Sequence, residues 1–504
     1  MFNFQVYIQG KNPKRLSLRS AYLFGQDDVP IPSEIHYSDG LLQCINRIPG
    51  LLGLVLLWPV AGVGQIMLGT TRLQEREEPY NLNLELARSR LMRLLQKRED
   101  WGLFDFPGTE ELAKVTDEAT DLFLEAMSTD NQIKAANLAD ESLAKSVDVS
   151  DRWTNFCANV LLDRRVQAGA IHPTWMACGI EPSCNNEQYR KRLLEGFGHF
   201  HLPIYWRDVE PAERQFNWQR TDEWINWLAK QRLPVRCGPL ISLSARHLPD
   251  WVYLWENDFA GLRDLMYEHV QRTVSRYGNQ VAAWDVVSGI NAENPFKFSF
   301  EQLIELTRVA ALATKRLVPR CNAIIELVQP WGEYRAKDIQ KVPAAMFADM
   351  AVQSGVNFDA LGIKLHFGIG REGMCLRDFF QISSLLDEFA SLGKPLHITG
   401  VEVPSDVKAD PLDAWGGSTT AKSGGYWRRP WDDELQAEWL REFVQLAISK
   451  PFVESICWTD LADAHPHNLP YSGLLRADYS PKPAYKVLLE LAGQYNGNKY
   501  TPGT

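Results

Sequence analysis

Apolar and polar residues follow two different rhythms along the chain, and the changes between them divide it into regions. Over the first 80 residues, short apolar runs alternate with turn residues such as Asn12-Pro13 and Asp39-Gly40, which is typical of a small antiparallel β-sandwich. The apolar runs cover residues 4–8, 21–24, 41–45, 51–58 and 65–68. We therefore predict a β-rich N-terminal domain over residues 1–80.

From residue 82 the apolar positions recur every three to four residues, which predicts amphipathic helices. A first stripe holds Leu84, Ala87, Leu91 and Leu94, and a third helix is expected around residues 153–162. The second stripe consists of Leu112, Val115, Ala119, Leu122 and Ala126. We assign residues 81–170 to a helical connector.

From residue 171 onward, short apolar strands alternate with amphipathic helices. The strand candidates are residues 175–179, 199–205, 234–240, 281–287, 323–328, 360–366, 397–401 and 454–458. Eight strands over about 320 residues fit a (β/α)₈ TIM barrel, although the rhythm alone also allows an open, doubly wound α/β sheet. The barrel region is placed at residues 171–492, with a C-terminal tail at 493–504.

Composition narrows the function classes. A net charge of -10 gives no electrostatic footprint for nucleic acid. Residues 48–69 carry no charge and are long enough to span a membrane, but their glycines, Pro49 and Pro59 favour two buried strands joined by a turn. We therefore expect no membrane span.

The cysteines and the N-terminus bear on the compartment. The 8 cysteines are scattered without a disulfide framework, and the first seven residues lack the features of a signal peptide. We expect a cytoplasmic protein. The 17 tryptophans suit either sugar stacking or a large core, and the count alone does not separate the two.

Several stretches in the barrel region resemble glycoside hydrolase family 10, the xylanase family. They are Trp206 with Glu210-Pro211 and Phe216-Asn217, Trp284-Asp285-Val286-Val287, Lys364 and His366 within 361–366, Thr399 and Glu402 within 396–402, and Trp458-Thr459-Asp460 followed by Tyr485. The resemblance covers about residues 175–492 and decides for the barrel. It implies a protein of carbohydrate metabolism that acts on xylan-type glycans and needs no cofactor.

Both catalytic positions that this resemblance implies are occupied by glycine. In the family, Trp-Asp-Val-Val is followed by Asn-Glu, whose Glu is the general acid/base, and here the two positions are Ser288 and Gly289. The nucleophile of the family's Thr-Glu-x-Asp motif corresponds to Gly400. A retaining glycosidase needs two carboxyl groups about 5–5.5 Å apart, and glycine supplies neither.

Three other carboxylates are candidates for relocated catalytic groups. Glu402 lies two residues beyond Gly400 and shares its inward face, but it also fits a structural carboxylate bound to His366 or a loop. Glu333 follows the fifth strand, where a solvated loop position is the alternative, and Glu293 lies four residues after Gly289.

Most residues that contact sugar in the family are also missing from this chain. The second-strand Glu-Asn-x-x-Lys group is replaced by residues 202–206, and the third-strand His and Trp are missing from residues 238–243. The remaining candidates for carbohydrate binding are Tyr205, Trp206, Trp331, Lys364, His366 and Trp458. His465-Pro466-His467 has only loose metal-ligand spacing, and we assign no metal site.

Three functions stay open at this point. The chain is either a carbohydrate-binding pseudoenzyme, an active glycosidase that uses Glu402 with Glu333 or Glu293, or a structural subunit that assembles through its N-terminal domain. On chemistry alone we favour the first. The expected partner is an oligo- or polysaccharide, and an oligomer would form through the N-terminal domain.

Overall fold

The computed structural model describes residues 2–46, 48–102 and 106–496. The strands are β1 (Phe2–Gln5), β2 (Tyr22–Phe24), β3 (Pro30–Ile31), β4 (Ser33–Ser38), β5 (Leu41–Asn46), β6 (Gly53–Val60), β7 (Gly64–Gly69), β8 (Tyr80–Asn81), β9 (Met176–Gly179), β10 (His199–Pro203), β11 (Val235–Gly238), β12 (Ile241–Ser242), β13 (Ala283–Ser288), β14 (Asn322–Val328), β15 (Ala360–His366), β16 (Leu396–Glu402), β17 (Tyr426–Trp427) and β18 (Val453–Trp458).

The helices are α1 (Leu82–Trp101), α2 (Glu110–Ser128), α3 (Gln132–Gln167), α4 (Glu187–Leu193), α5 (Trp206–Val209), α6 (Gln219–Gln231), α7 (Phe259–Tyr277), α8 (Phe300–Leu317), α9 (Ala344–Gln353), α10 (Phe379–Ala390), α11 (Asp433–Ser449) and α12 (Pro483–Asn496). Short 3-10 helices lie at Gln26–Asp28, Asp250–Trp255, Glu333–Ala336 and Ala421–Ser423.

Eight parallel strands close into a barrel. Their order is β11-β10-β9-β18-β16-β15-β14-β13, and β13 pairs with β11 to complete the ring. The barrel strands 1 to 8 are therefore β9, β10, β11, β13, β14, β15, β16 and β18. The (β/α)₈ barrel expected from the sequence is confirmed. Its mouth, where the carboxyl ends of the strands meet, is the usual place for an active site.

The N-terminal region contains two sheets, of order β4-β5-β1-β8 and β17-β7-β6-β2-β3. Residues 48–69 provide the antiparallel hairpin of β6 and β7, as the glycines and prolines predicted. No helix among the described residues is both long and apolar enough to cross a membrane.

The connector helices have well-defined ends. The Asn81 side chain accepts a hydrogen bond from the Leu84 amide at the start of α1. Gly102 ends the same helix with φ of 61°, a conformation that glycine adopts without strain. The third helix, α3, runs well beyond the expected residues 153–162.

The N-terminal region packs tightly on the barrel. Strand β17 belongs to the segment between β16 and α11, yet it pairs with β7 of the second N-terminal sheet. A buried ion pair joins Arg90 of α1 to Asp378 at the start of α10. Side chains of the N-terminal sheets, α1, α3 and the barrel belong to one continuous apolar core. The domain boundaries and an oligomer built through the N-terminal region stay predictions.

Candidate functional site at the mouth of the barrel

Gly289 lies at the end of the fourth barrel strand in a left-handed conformation, with φ of 63°. A Cβ atom built there would lie 3.0 Å from Cγ2 of Val328. The Gly289 amide donates to the Glu326 carbonyl at 3.0 Å, which holds this backbone in place. Both the backbone angle and the neighbouring side chain therefore favour glycine at this position.

Gly400 lies inside the seventh barrel strand and has an ordinary backbone angle. A Cβ atom built there would lie 2.9 Å from Oγ1 of Thr459 and 3.1 Å from Cε of Lys364. The aliphatic part of Lys364 thus occupies the space into which a side chain at 400 would point. Glycine at 400 makes room for this lysine.

Lys364 ends in a buried charge network within the barrel. Its Nζ lies 2.9 Å from Oε1 of Glu326, and Arg236 Nη1 lies 3.9 Å from the other oxygen of that carboxylate. Arg236 also pairs with Asp285 at 3.3 Å, and His201 lies 3.3 Å from the same carboxylate. Two cationic and two anionic side chains from strands 3 to 6 therefore balance one another.

The network keeps its members charged. Burial raises the pKa of Glu326, but the positive charges of Lys364 and Arg236 outweigh burial and lower the pKa below its ordinary value. Burial lowers the pKa of Lys364, and the Glu326 carboxylate more than compensates and raises it. The hydroxyl of Ser288, the residue before Gly289, donates to Glu326 at 2.6 Å.

Sequence reasoning missed Arg236 and Glu326, although a signal for both was present. Each is a charged residue inside an otherwise apolar strand, and both are buried. Ionised side chains are rarely buried without a partner, so charges on two strands of one barrel point to a pair inside it.

Several of the expected sugar-binding residues lie close together at the mouth, in a region that we call the cleft. The Tyr205 ring stacks on the His247 ring with 4.1 Å between centroids, and His366 Nε2 lies 3.2 Å from Oγ1 of Thr459. The Lys364 charge acts on Tyr205, His247 and His366 alike, which places them around it. The Lys364 side chain keeps 25% exposure, so solvent reaches the cleft.

The two histidines of the cleft are neutral. Burial, followed by the positive charge of Lys364, lowers the pKa of both His247 and His366 to about 3. Burial raises the pKa of Tyr205 to about 12, although Lys364 opposes it. At neutral pH, Lys364 is therefore the cationic group at the centre of the cleft, surrounded by neutral hydrogen-bonding groups. His247 was not identified from the sequence because it lies in a loop without a motif.

Glu402 is fully buried at the mouth end of the seventh strand. Burial, followed by the negative charge of Asp460, raises its pKa well above the ordinary value and so favours the protonated carboxyl. Neither carboxyl oxygen has a hydrogen bond of good geometry to the described residues. Among the described residues, His366 and Glu402 share no hydrogen bond, and His366 Nε2 lies 3.2 Å from Oγ1 of Thr459.

The two other candidate carboxylates have different surroundings from Glu402. Glu333 is buried against the N-terminal region, where it forms an ion pair with Arg377 and accepts from the Gly373 amide. Glu333 is thus a buried structural ion-pair partner, and the solvated loop considered from the sequence is wrong. Glu293 is exposed, and its amide donates to the Gly289 carbonyl at 2.9 Å.

The three candidate tryptophans differ in access. Trp206 is 5% exposed, donates to Glu210 and stacks on His269 at 4.7 Å. Trp458 is 1% exposed and donates to the Ser472 carbonyl. These two rings are buried and show no open face, so the structure gives no support to their stacking on sugar. Trp331 is half-buried, with the Arg377 guanidinium 4.4 Å from its centroid.

No group of three or more metal-binding side chains occurs in the described part of the chain. His465 contacts the Tyr479 hydroxyl at 2.8 Å, and His467 pairs with Asp410 at 2.8 Å. The 8 cysteines are all buried and unpaired.

Comparison with known families agrees with the barrel. The model of Glycosyl hydrolase family 10 matches residues 185–491, more than half of the chain. The chain belongs to glycosyl hydrolase family 10. Its β-rich and connector regions precede the matched part.

Individual relatives of this family 10 chain are distant. Endo-1,4-beta-xylanase 1 of Gibberella zeae is 22% identical over 218 residues, which are 41% of this chain and 58% of that protein. Endo-1,4-beta-xylanase A of Fusarium oxysporum is 29% identical over 216 residues, or 40% of this chain and 63% of the relative. The chain thus spans less than two thirds of the length of these relatives.

Solved structures include GH10 from Paenibacillus barcinonensis, with a TM-score of 0.49 and 18% identity over 64% of this chain and 95% of that one. Xylanase 10B from Thermotoga petrophila, in complex with xylobiose, has a TM-score of 0.48 and 16% identity over 67% of this chain and 97% of that one.

Proposed function

We propose that this family 10 chain binds a xylan-type oligosaccharide at the mouth of its barrel and does not hydrolyse it. The observation that carries the proposal is the filled space at the two glycines. Lys364 and Thr459 occupy the side-chain position of Gly400, and Val328 faces that of Gly289.

Loss of hydrolysis follows from the chemistry of glycosidases. Hydrolysis needs a proton donor and a nucleophile or base, and glycine is neither. The candidate substitutes Glu402, Glu333 and Glu293 are respectively buried, held by Arg377 and exposed to solvent.

Binding is supported by what the cleft retains. Tyr205, Lys364 and His366 offer an aromatic ring, a cation and a neutral imidazole at the mouth, where the Lys364 side chain is partly exposed. A pyranose has an apolar face that packs on aromatic rings and a rim of hydroxyl groups that hydrogen-bond to polar side chains. The residues of the cleft match both requirements.

Calorimetric titration with xylotriose tests the proposal. We expect saturable binding by the full chain, and a loss of at least about tenfold in affinity for Lys364→Met, the change produced by about 1.4 kcal/mol. Lys230→Met is the matched control, because Lys230 is exposed in the last turn of α6, where the chain enters strand β11 at the end of the barrel opposite the mouth. Circular dichroism verifies that each variant is folded. No binding by the unaltered chain, or equal loss in both variants, contradicts the proposal.

A second candidate function is hydrolysis with Glu402 as a general acid. The observation in its favour is the raised pKa of this carboxyl beside Asp460, because a general acid must be protonated at working pH. Incubation with a panel of aryl glycosides and xylo-oligosaccharides tests it. Turnover by the unaltered chain that Glu402→Gln abolishes would establish this function and overturn the first.

A further inference from the structure

A long segment between the seventh barrel strand and α11 crosses the mouth of the barrel. We call this segment, residues 403–432, the strap. Barrel strands 3 and 7 are four positions apart in either direction around the closed ring of eight, so they are diametrically opposite. A contact between the loops that follow these two strands therefore spans the mouth.

The strap makes such a contact through Trp415. Arg246, in the loop after strand 3, donates to the Ala414 carbonyl at 2.8 Å. Its guanidinium lies 4.6 Å from the centroid of the Trp415 ring. Arg371, in the loop after strand 6, lies 3.6 Å from the same centroid. Trp415 is thus held by two arginines from two other loops of the mouth.

The strap is also fixed to the loop after strand 8. Asp410 accepts from His467 at 2.8 Å and from the Tyr471 amide at 2.9 Å. Burial lowers the pKa of His467, but the hydrogen bond to Asp410 outweighs it and raises the pKa to about 9, so the pair is ionic at neutral pH. The His467 amide donates to the Leu412 carbonyl at 3.2 Å.

The far end of the strap is anchored to the N-terminal sheet. Tyr426 pairs with Gln65 and Trp427 pairs with Gly64 in an antiparallel ladder. A Cβ atom at Gly64 would lie 2.1 Å from the Tyr426 carbonyl oxygen, so this close approach of two backbones requires glycine. The strap is therefore attached to the loops after strands 3, 6 and 8, and its C-terminal end is attached to β7.

We infer that the strap makes the mouth a site for one end of a sugar chain, and that it excludes the interior of a long polysaccharide. The inference rests on the proposed function and names the part of the glycan that the site accepts. A polymer interior needs a groove that is open at both ends. A segment that spans the mouth closes such a groove, whereas the Lys364 side chain beneath it keeps 25% exposure and can be reached from solvent. Trp415, Arg246 and Arg371 are then specificity-determining residues.

The length dependence of binding tests this inference. Xylotriose, xylohexaose and soluble xylan of defined length are titrated into the full chain, and each dissociation constant is expressed per sugar residue. If only chain ends bind, this constant rises in proportion to chain length, because longer chains offer fewer ends per residue. If the interior binds, the constant is flat or falls with length.

Opening the strap supplies the second arm. In the double variant Arg246→Ala/Arg371→Ala, Trp415 loses its contacts with both arginines. We expect the dissociation constant per sugar residue to stop rising with chain length. We also expect xylan binding to strengthen by at least about tenfold. The control is Arg308→Ala/Arg441→Ala, which alters arginines on the outer helices α8 and α11 and should keep the rise with length.

The outcomes separate this inference from the proposed function. Binding by the unaltered chain whose constant per sugar residue does not rise with length overturns the inference and leaves the proposed function standing. An unchanged length dependence in the strap variant also overturns it. If neither the unaltered chain nor the strap variant binds a xylo-oligosaccharide of any length, the proposed function is wrong and the inference fails with it.

Discussion

At the scale of single residues, the two glycines at the mouth have different physical roles. Gly289 has a backbone angle that side chains rarely adopt, whereas Gly400 has an ordinary one and yields its side-chain space to Lys364. Restoring a carboxylate would therefore require a new backbone conformation at 289 and a displaced lysine at 400. Changing both glycines to glutamate would therefore also require the neighbouring residues to move.

Gly289→Ala separates backbone strain from crowding. We expect it to destabilise the fold by more than Gly393→Ala, which has a similar φ of 70° but no heavy atom within 4 Å of the new Cβ. The left-handed conformation costs about 1–2 kcal/mol for both, and the 3.0 Å contact with Val328 adds to it only at 289. Urea unfolding measures both free energies, and equal losses would show that Val328 yields without cost.

Glu402→Gln tests the protonated carboxyl. Because burial and Asp460 raise the folded pKa of Glu402, the folded state holds a proton that the unfolded state releases above its own pKa of about 4.5. Stability is therefore full below pH 4.5 and falls as pH rises from there toward the folded pKa. Glutamine does not titrate, so it removes this fall.

The expected result is a stability difference, variant minus unaltered chain, that increases by about 1 kcal/mol or more between pH 5 and pH 8, the size of one pKa unit. Urea unfolding at the two pH values measures it. Glu293→Gln is the control, because it makes the same chemical change at an exposed position. A constant difference for Glu402→Gln would mean that Glu402 is ionised in the fold.

The sequence predicted some of these residues and missed others for a physical reason. Strand parity predicted an inward direction for Glu402, and the comparison with family motifs named Tyr205, Lys364 and His366 as candidates for sugar binding. The sequence did not reveal that Glu402 lies beside Asp460, because such a contact depends on how two strands are staggered. The register between β16 and β18 shifts at a bulge before Val401. The pattern of apolar residues does not predict this shift.

At the scale of elements, the barrel interior replaces part of an apolar core with ion pairs. Arg236, Asp285, Glu326 and Lys364 come from four adjacent strands, so the network ties these strands together. Buried ions are costly unless paired, and removal of one partner leaves another uncompensated. The network is therefore sensitive to single substitutions and tolerant of paired ones.

A double-mutant cycle at Glu326 and Lys364 tests this property. We expect Glu326→Gln to cost about 3–5 kcal/mol, because Lys364 and Arg236 lose their shared anion. The double variant Glu326→Gln/Lys364→Met should cost less than the two single variants combined. The exposed pair Arg429 and Glu438 is the control and should contribute no more than about 1 kcal/mol. Additive losses at Glu326 and Lys364 in urea unfolding would contradict the network.

Elements with strong apolar patterns were predicted well, and those with weak ones were not. All eight barrel strands were expected within a few residues of their ends, because apolar runs between turn residues mark them clearly. Helix α3 was expected only around residues 153–162. Its first half buries Ala135, Ala136, Ala139, Ser142 and Ser146, and small residues of this kind give no apolar stripe to detect. Strand β17 has two residues and forms only because β7 is beside it.

At the scale of the whole molecule, the N-terminal region is integrated with the barrel. It supplies the partner strand for the strap through β7, and its Tyr22 hydroxyl lies 3.4 Å from the Arg377 guanidinium that holds Glu333. Arg377 in turn lies over Trp331 at the mouth. The sheets that precede the family 10 part therefore contribute to the shape of the mouth.

This integration predicts one cooperative unfolding transition for the full chain. The apolar core continues from the N-terminal sheets into the barrel, so neither part can unfold without exposing the other. Near-ultraviolet circular dichroism and tryptophan fluorescence should give coincident midpoints in urea. The variant Arg90→Met, which breaks the buried pair with Asp378, should lower that midpoint without splitting the transition. Two separate transitions would contradict the shared core.

The most direct test of a mouth that binds but does not cut is one combined measurement. Xylotetraose is titrated into the full chain in a calorimeter, and the contents of the cell are then separated by chromatography after prolonged incubation. The account predicts saturable binding heat and intact xylotetraose. Shorter sugars released by the unaltered chain, or no binding heat at all, would contradict it.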